Sequence, residues 1–314
     1  MQAGARPPGL APASTSPTLP ALALLFNALV WGCSWWPFRA LDAQGLHPLW
    51  ATAIVFVLAI VLIVALRPRA VGQLLRSPGL WLLVAAAGTT NAAFNWAVTI
   101  GDVVRVVLLF DLMPLWAVLL ARMLLDEPLT RLAALRVALA LVGALLVLGP
   151  GGAGGRWLAL PLPQSLADWL ALGGGFSFAL NNVMLRRLRA APEEGRALAM
   201  FLGGATVSAL IATGLAVQGA APWPPLPAPG WLAGVAGLAV LFIGSNAALQ
   251  YGAARLPAGA TAVIMLAEVL FASLSAAWWG DAQFSAPLLA GGALIVAAAL
   301  LAVATPRAVA EPGH

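Results

Sequence analysis

Asn91 and Asn95 stand four residues apart in an apolar stretch, so a helix would carry both on one face. Asn246 and Gln250 repeat that spacing later in the chain, and an aromatic residue directly follows each pair, Trp96 in one and Tyr251 in the other. Amides beside a ring suit a small amphipathic molecule: the amides bond its polar groups and the ring stacks on its side chain. The same residues also serve as glue between helices, worth about 0.6 kcal/mol per contact on average in membranes. Cavity wall and packing are both open readings of this pattern.

Asp111 and Glu268 are acids set deep in apolar runs. In lipid such a carboxyl costs about 2.5–3.5 kcal/mol on insertion scales, so a bland surface role is excluded. Each either holds a substrate ammonium, binds a proton, or is a structural carboxyl. Asn181 and Asn182, with Ser177, form a third polar cluster. Trp31 and Trp35 share helical spacing with Asn27 and Ser34, which makes them candidates for a cavity wall. Pro114, three residues after Asp111, and Gly252, just past Tyr251, are candidate gating positions.

These residues sit in a chain of 314 residues that is 62% apolar and 9% charged, with a mean hydropathy of +0.95. A soluble surface needs roughly 25% charged residues, so lipid must cover most faces. Apolar runs long enough to span a bilayer fall near 19–38, 48–66, 79–100, 104–125, 132–149, 168–186, 197–218, 231–253, 258–279 and 286–304. The fold expected is therefore an all-α polytopic membrane protein of ten transmembrane helices. All sixteen basic residues are Arg. Thirteen fall on one side if the N-terminus is cytoplasmic, and only Arg39, Arg105 and Arg156 on the other. The positive-inside rule then puts both termini in the cytoplasm. The arginines are scattered between apolar runs rather than gathered on one face, which argues against nucleic acid despite a pI of 11.2.

Sliding the second half over the first by 155 residues aligns 91–130 with 246–285 without a gap. The two amide motifs coincide, Asp126 meets Asp281, and Thr130 meets Ser285. Five helices per copy is an odd number, so the copies enter the membrane in opposite senses. That is a 5+5 inverted repeat, which places a substrate site between the halves near the midplane and predicts alternating access. The expected organisation is a flexible cytoplasmic tail at 1–18, a first five-helix repeat at 19–150, an extracytoplasmic linker at 151–167, a second repeat at 168–304 and a cytoplasmic tail at 305–314. The first apolar run is read as a retained helix rather than a cleaved signal.

Leu112-Met113-Pro114-Leu115-Trp116-Ala117, Leu125-Asp126-Glu127-Pro128-Leu129-Thr130, Leu266-Ala267-Glu268-Val269-Leu270-Phe271-Ala272 and Leu29-Val30-Trp31-Gly32-Cys33-Ser34-Trp35 carry a family resemblance. The membrane region resembles the drug/metabolite transporter superfamily in its EamA-type branch, and within it YddG-type amino-acid exporters. The chain departs from that pattern with Val269 where Pro is usual, Asp126 where Gly is usual before the Glu, and Ala282 at the second repeat's Glu. The missing proline predicts a ninth helix that bends less. The resemblance implies export of aromatic and other neutral amino acids from the cytoplasm, through a bacterial inner membrane. Other cargo of the superfamily, such as drugs coupled to protons through Glu268, is the alternative.

An enzyme is disfavoured. His47 and His314 are the only histidines, and the chain has no HExxH pair, no GxSxG elbow and no phosphate-binding P-loop. No cofactor or metal is expected, and the lone Cys33 cannot form an intramolecular disulfide. The partners expected are a small, amino-acid-like substrate and the lipid bilayer, with no nucleic acid, around a pathway contained in one monomer.

Overall fold

The computed structural model describes residues 17–100, 106, 109–148, 163, 165–278 and 286–304. The expected N-terminal tail up to residue 16, most of the expected 151–167 linker, the expected 305–314 tail and Asp281, Ala282 and Ser285 lie outside them. Every regular element among the described residues is a helix: α1 (Thr18–Cys33), α2 (Trp35–Asp42), α3 (Pro48–Leu66), α4 (Arg69–Arg76), α5 (Pro78–Ile100), α6 (Met113–Leu125), α7 (Arg131–Leu148), α8 (Leu166–Arg187), α9 (Glu193–Val217), α10 (Pro229–Ala253), α11 (Ala258–Met265), α12 (Ala267–Trp278) and α13 (Ala286–Ala304).

Among the described residues, four helical stretches are long and apolar enough to cross a membrane: Thr18–Asp42, Pro48–Leu66, Glu193–Val217 and Pro229–Ala253. A fifth is added if α4 and α5, bent by 100° where they meet, are taken as one span. Val61, Leu210, Val240 and Leu300 are exposed in mid-helix. Apolar side chains turned outward at that level face lipid, not water. This is a multi-pass membrane protein.

Proline chemistry shapes the first span. Pro37 has no N–H to give the Cys33 carbonyl, so the ladder is interrupted one turn earlier, at Ser34. There Ser34 N and Oγ both turn back to the Trp31 carbonyl, at 3.0 and 2.7 Å. The α11–α12 break at Leu266 needs no proline: Val269 N bonds the Leu266 carbonyl at 3.1 Å in a three-residue turn. His47 opens α3 by accepting from Leu49 N at 3.3 Å through Nδ1. An acceptor nitrogen must be unprotonated, and burial pushes the His47 imidazole below its ordinary value although Asp42 pulls the other way.

Helix packing follows the 155-residue offset. α1 packs on α10 and α12, while α8, its counterpart, packs on α5 and α6. The pairs α3–α9 and α7–α13 each join a helix to its own counterpart. Close approach depends on glycine where backbones touch. A Cβ on Gly143 of α7 would lie 2.7 Å from the Gly291 carbonyl of α13, and one on Gly203 of α9 would collide with the Val84 carbonyl of α5.

Candidate functional site

A cavity with about 690 Å³ of empty space, its open mouth included, lies in the bundle between α1, α3, α5, α8, α9, α10 and α12. Residues related by the 155-residue offset recur in its lining. On α5, Ala87, Asn91 and Phe94 line it at helical spacing; on α10, Phe242, Asn246 and Leu249 do the same, each 155 residues on. One face of each counterpart helix therefore fronts the same hollow.

Two groups of rings make the apolar walls. Trp31 stacks on Phe242 with centroids 4.6 Å apart and planes 14° from parallel, and Phe56 meets both Phe242 and Phe201 edge-on, at 6.0 and 5.1 Å. Across the hollow, Phe110 sits 4.7 Å from Phe94 and 5.8 Å from Phe178. Six of the chain's eleven phenylalanines line this cavity. That concentration is invisible in the sequence, where a Phe in an apolar run reads alike whether it faces lipid, core or hollow. The offset offered the one available signal, since Phe94 and Phe242 lie one turn from the paired Asn residues.

The polar groups are few. Asn91 Nδ2 donates to the Ala87 carbonyl at 2.8 Å. Asn246 Nδ2 points to Met200 Sδ at 3.2 Å and its Oδ1 accepts from Gln250 Nε2 at 2.7 Å. Asn27 Nδ2 donates to the Ser245 carbonyl and hydroxyl at 2.9 and 2.6 Å, tying α1 to α10. Asn181 lines the cavity at 1% exposure, and neither end of its amide has a hydrogen-bond partner among the described residues. Glu268, half-buried, is the one charged side chain among the lining residues. Asp111, next in sequence to the lining Phe110, is buried at 4% exposure, with Oδ2 unpartnered among the described residues.

Of the residues singled out by sequence, Asn91, Asn246, Glu268, Trp31 and Asn181 are brought together at this cavity. Others stand behind it or apart from it. Asn95 is buried and donates to Thr52 Oγ1 of α3 at 2.6 Å. Gln250 braces Asn246, and Tyr251 lies under the Arg255 guanidinium, 3.8 Å from its ring centroid. Trp96 is half-buried outside the lining, and Ser177 is buried in α8. Trp35 falls beyond the Ser34 break, so it leaves the Trp31 face and bonds Ser275 Oγ of α12 at 2.9 Å. Pro114 is buried in the first turn of α6. Gly252 sits against α1, where a Cβ would lie 2.8 Å from the Pro20 carbonyl. Close packing is thus its visible job.

At the Arg-rich end of the bundle, Asp126 closes α6 in the left-handed conformation, φ 55°. This is the position at which the resemblance expects glycine, and the φ explains why. Next to it, Glu127 pairs with Arg186 of α8 at 3.7 Å, while Arg186 Nη1 also donates to the Ala254 carbonyl at 3.0 Å. Burial pushes the Glu127 carboxyl above its ordinary value, against Arg186 and the Ala258 N–H, which hold it down.

Residues 18–149 match the EamA-like transporter family. Nothing among the curated proteins matches the chain. A solved crystal structure is similar over 92% of this chain and 97% of its own, with 23% sequence identity and a TM-score of 0.73. At that identity the likeness speaks for the fold.

Proposed function

We propose, from the premise that residues 18–149 are an EamA-like transporter domain, that the whole chain is a ten-helix exporter built as a 5+5 inverted repeat. In this reading residues 19–150 and 168–304 are the repeats, joined by the 151–167 linker, and both tails are cytoplasmic. The cargo is aromatic and other neutral amino acids and related small metabolites, moved outward across a bacterial inner membrane by a monomer. The observation that carries it is the cavity fronted alike by Asn91 and Asn246, with rings from both halves around them. A mostly apolar hollow with a few convergent polar groups is what small-molecule sites look like.

Alternating access supplies the mechanism. Rocking the repeats exchanges their conformations, so each contact made by one copy is matched by its counterpart in the other state. Here Asn27 of α1 holds Ser245 of α10. Asn182, 155 residues on, has no partner at either end among the described residues, and Thr90, the counterpart of Ser245, turns its hydroxyl back to Ala86. The asymmetry supports a resting conformation in which one pair is made and its mate waits. Asn91, Asn246, Trp31, Asn181 and Glu268 meet the substrate; Asn95, Gln250, Trp96, Tyr251, Trp35, Ser177 and Asp111 support them; Pro114 and Gly252 lie where the gates bend.

Counterflow of tryptophan or phenylalanine in liposomes tests this, with Asn91→Ala, Asn246→Ala and Glu268→Gln. Loss of counterflow in the variants at normal expression is expected. Unchanged transport in all three would overturn the site. A second reading couples transport to protons through Glu268, favoured by the nearby Asp111; flux indifferent to an imposed pH gradient would remove it.

A further inference from the structure

The cavity is chemically unbalanced for a zwitterion. An amino acid presents an ammonium and a carboxylate, and a site built for both needs a charge of each sign. Among the lining residues Glu268 is the only ionisable side chain, and Asp111, buried and next in sequence to the lining Phe110, adds a second acid. Among the described residues no arginine lines the cavity: Arg39 lies 4.9 Å from the Trp35 ring, Arg255 covers Tyr251, and buried Arg196 pairs with Glu193 at 3.8 Å. A carboxylate in this hollow would have only neutral donors, the amides, a hydroxyl and the Trp31 indole, and it would face the Glu268 carboxyl.

An ammonium finds the opposite. It meets the Glu268 carboxylate, faces of Trp31 and Phe rings that attract cations, and the Asn181 amide. Asn181 is nine-tenths buried and lines the hollow with its carbonyl unpartnered among the described residues, a group whose desolvation goes uncompensated until something polar arrives. We propose that the cavity selects aromatic monocations, an aryl group on a short chain ending in a primary ammonium, ahead of the corresponding zwitterionic amino acids. This rests on the transporter reading and narrows its substrate class: amines, amino-acid esters and amides rank above free amino acids, and aryl carboxylates rank last.

Four matched probes separate the possibilities: phenethylamine, phenylalanine, phenethyl alcohol and 3-phenylpropanoate, titrated calorimetrically into the purified full-length chain in lipid nanodiscs at one fixed pH. Phenethylamine should bind at least about tenfold tighter than phenylalanine, the scale of one partly screened charge contact, and 3-phenylpropanoate should bind weakest. Glu268→Gln should collapse the ratio of amine to alcohol affinity, and Glu268→Asp, which keeps the charge, should preserve it. Phenylalanine binding as tightly as phenethylamine, or a ratio untouched by Glu268→Gln, would overturn the proposal and leave the transporter reading standing. If none of the four bound and none supported counterflow, the cavity would not be a substrate site, and both readings would fall together.

Discussion

Replacing Asn27 by alanine removes two buried hydrogen bonds to Ser245, at 2.9 and 2.6 Å, from a residue with no solvent exposure. Each is worth about 0.5–1.5 kcal/mol net, so the described conformation should lose about 1–3 kcal/mol relative to one in which the bonds are absent. At about 1.4 kcal/mol per decade, that is roughly a 5- to 150-fold shift in the balance between states. Asn182→Ala removes no hydrogen bond here, because both ends of that amide lack partners among the described residues. In the exchanged conformation it would remove the mate of the Asn27 contact, so it should shift the balance the other way. Hydrogen exchange by mass spectrometry reads this out at the two ends of the bundle. The connections at 43–47 and 218–228 mark one end, and those at 126–130 and 254–257 the other. Asn27→Ala should raise exchange at one end and lower it at the opposite end, with Asn182→Ala giving the reverse. If both variants moved the two ends in the same sense, the paired-contact mechanism would be refuted.

Gly203→Ala places a methyl group against the Val84 backbone, which cannot swing aside, and should cost about 1–3 kcal/mol. Gly237→Ala meets nothing within 4 Å and should be neutral or gain up to about 1 kcal/mol from helix propensity; melting both in detergent checks the contrast. Asp126→Gly relieves a left-handed residue and should raise the melting temperature, by the equivalent of about 1 kcal/mol. Glu127 titrates above its ordinary value when folded, so ionising it is harder in the folded state than in the unfolded one. Its contribution is greatest at low pH and is lost as the pH rises from the ordinary Glu range through the raised value. Wild-type melting temperature should therefore decline across that window, and Glu127→Gln should flatten the decline.

Sequence revealed the site where polarity was scarce. Asn91, Asn246, Asn181 and Glu268 stand out in apolar runs because hydrocarbon penalises them, and all four reach the hollow. Depth along a helix was less legible. Asn95 shares a face with Asn91 but lies a turn further on, where Thr52 takes it up, and Gln250 likewise ends as a brace for Asn246. Trp35 was separated from Trp31 by a break one turn ahead of the proline that causes it. The phenylalanine walls stayed hidden because lipid, core and cavity all accept the same ring. The α4 helix was hidden for another reason: eight residues holding two arginines look like a charged loop until their periodicity is set against burial.

That short helix has a mechanical consequence. Ala70 and Leu74 are buried against the bundle, Val71 and Leu75 are exposed, and Arg69 and Arg76 are exposed on the opposite side. At 100° to the span that follows, α4 suits the plane of the lipid surface, with its apolar flank dipping into the acyl boundary and its guanidinium groups among the headgroups. Lifting it wets the leucine, and sinking it strips water from the arginines, so the vertical position of the first half is moored. At the matching place in the second half runs Pro222-Trp223-Pro224-Pro225-Leu226-Pro227, uncharged and without a helix. If the two proposed halves tilt against each other, the first is fitted with a keel that the second lacks, and the unballasted one should have the freer ride.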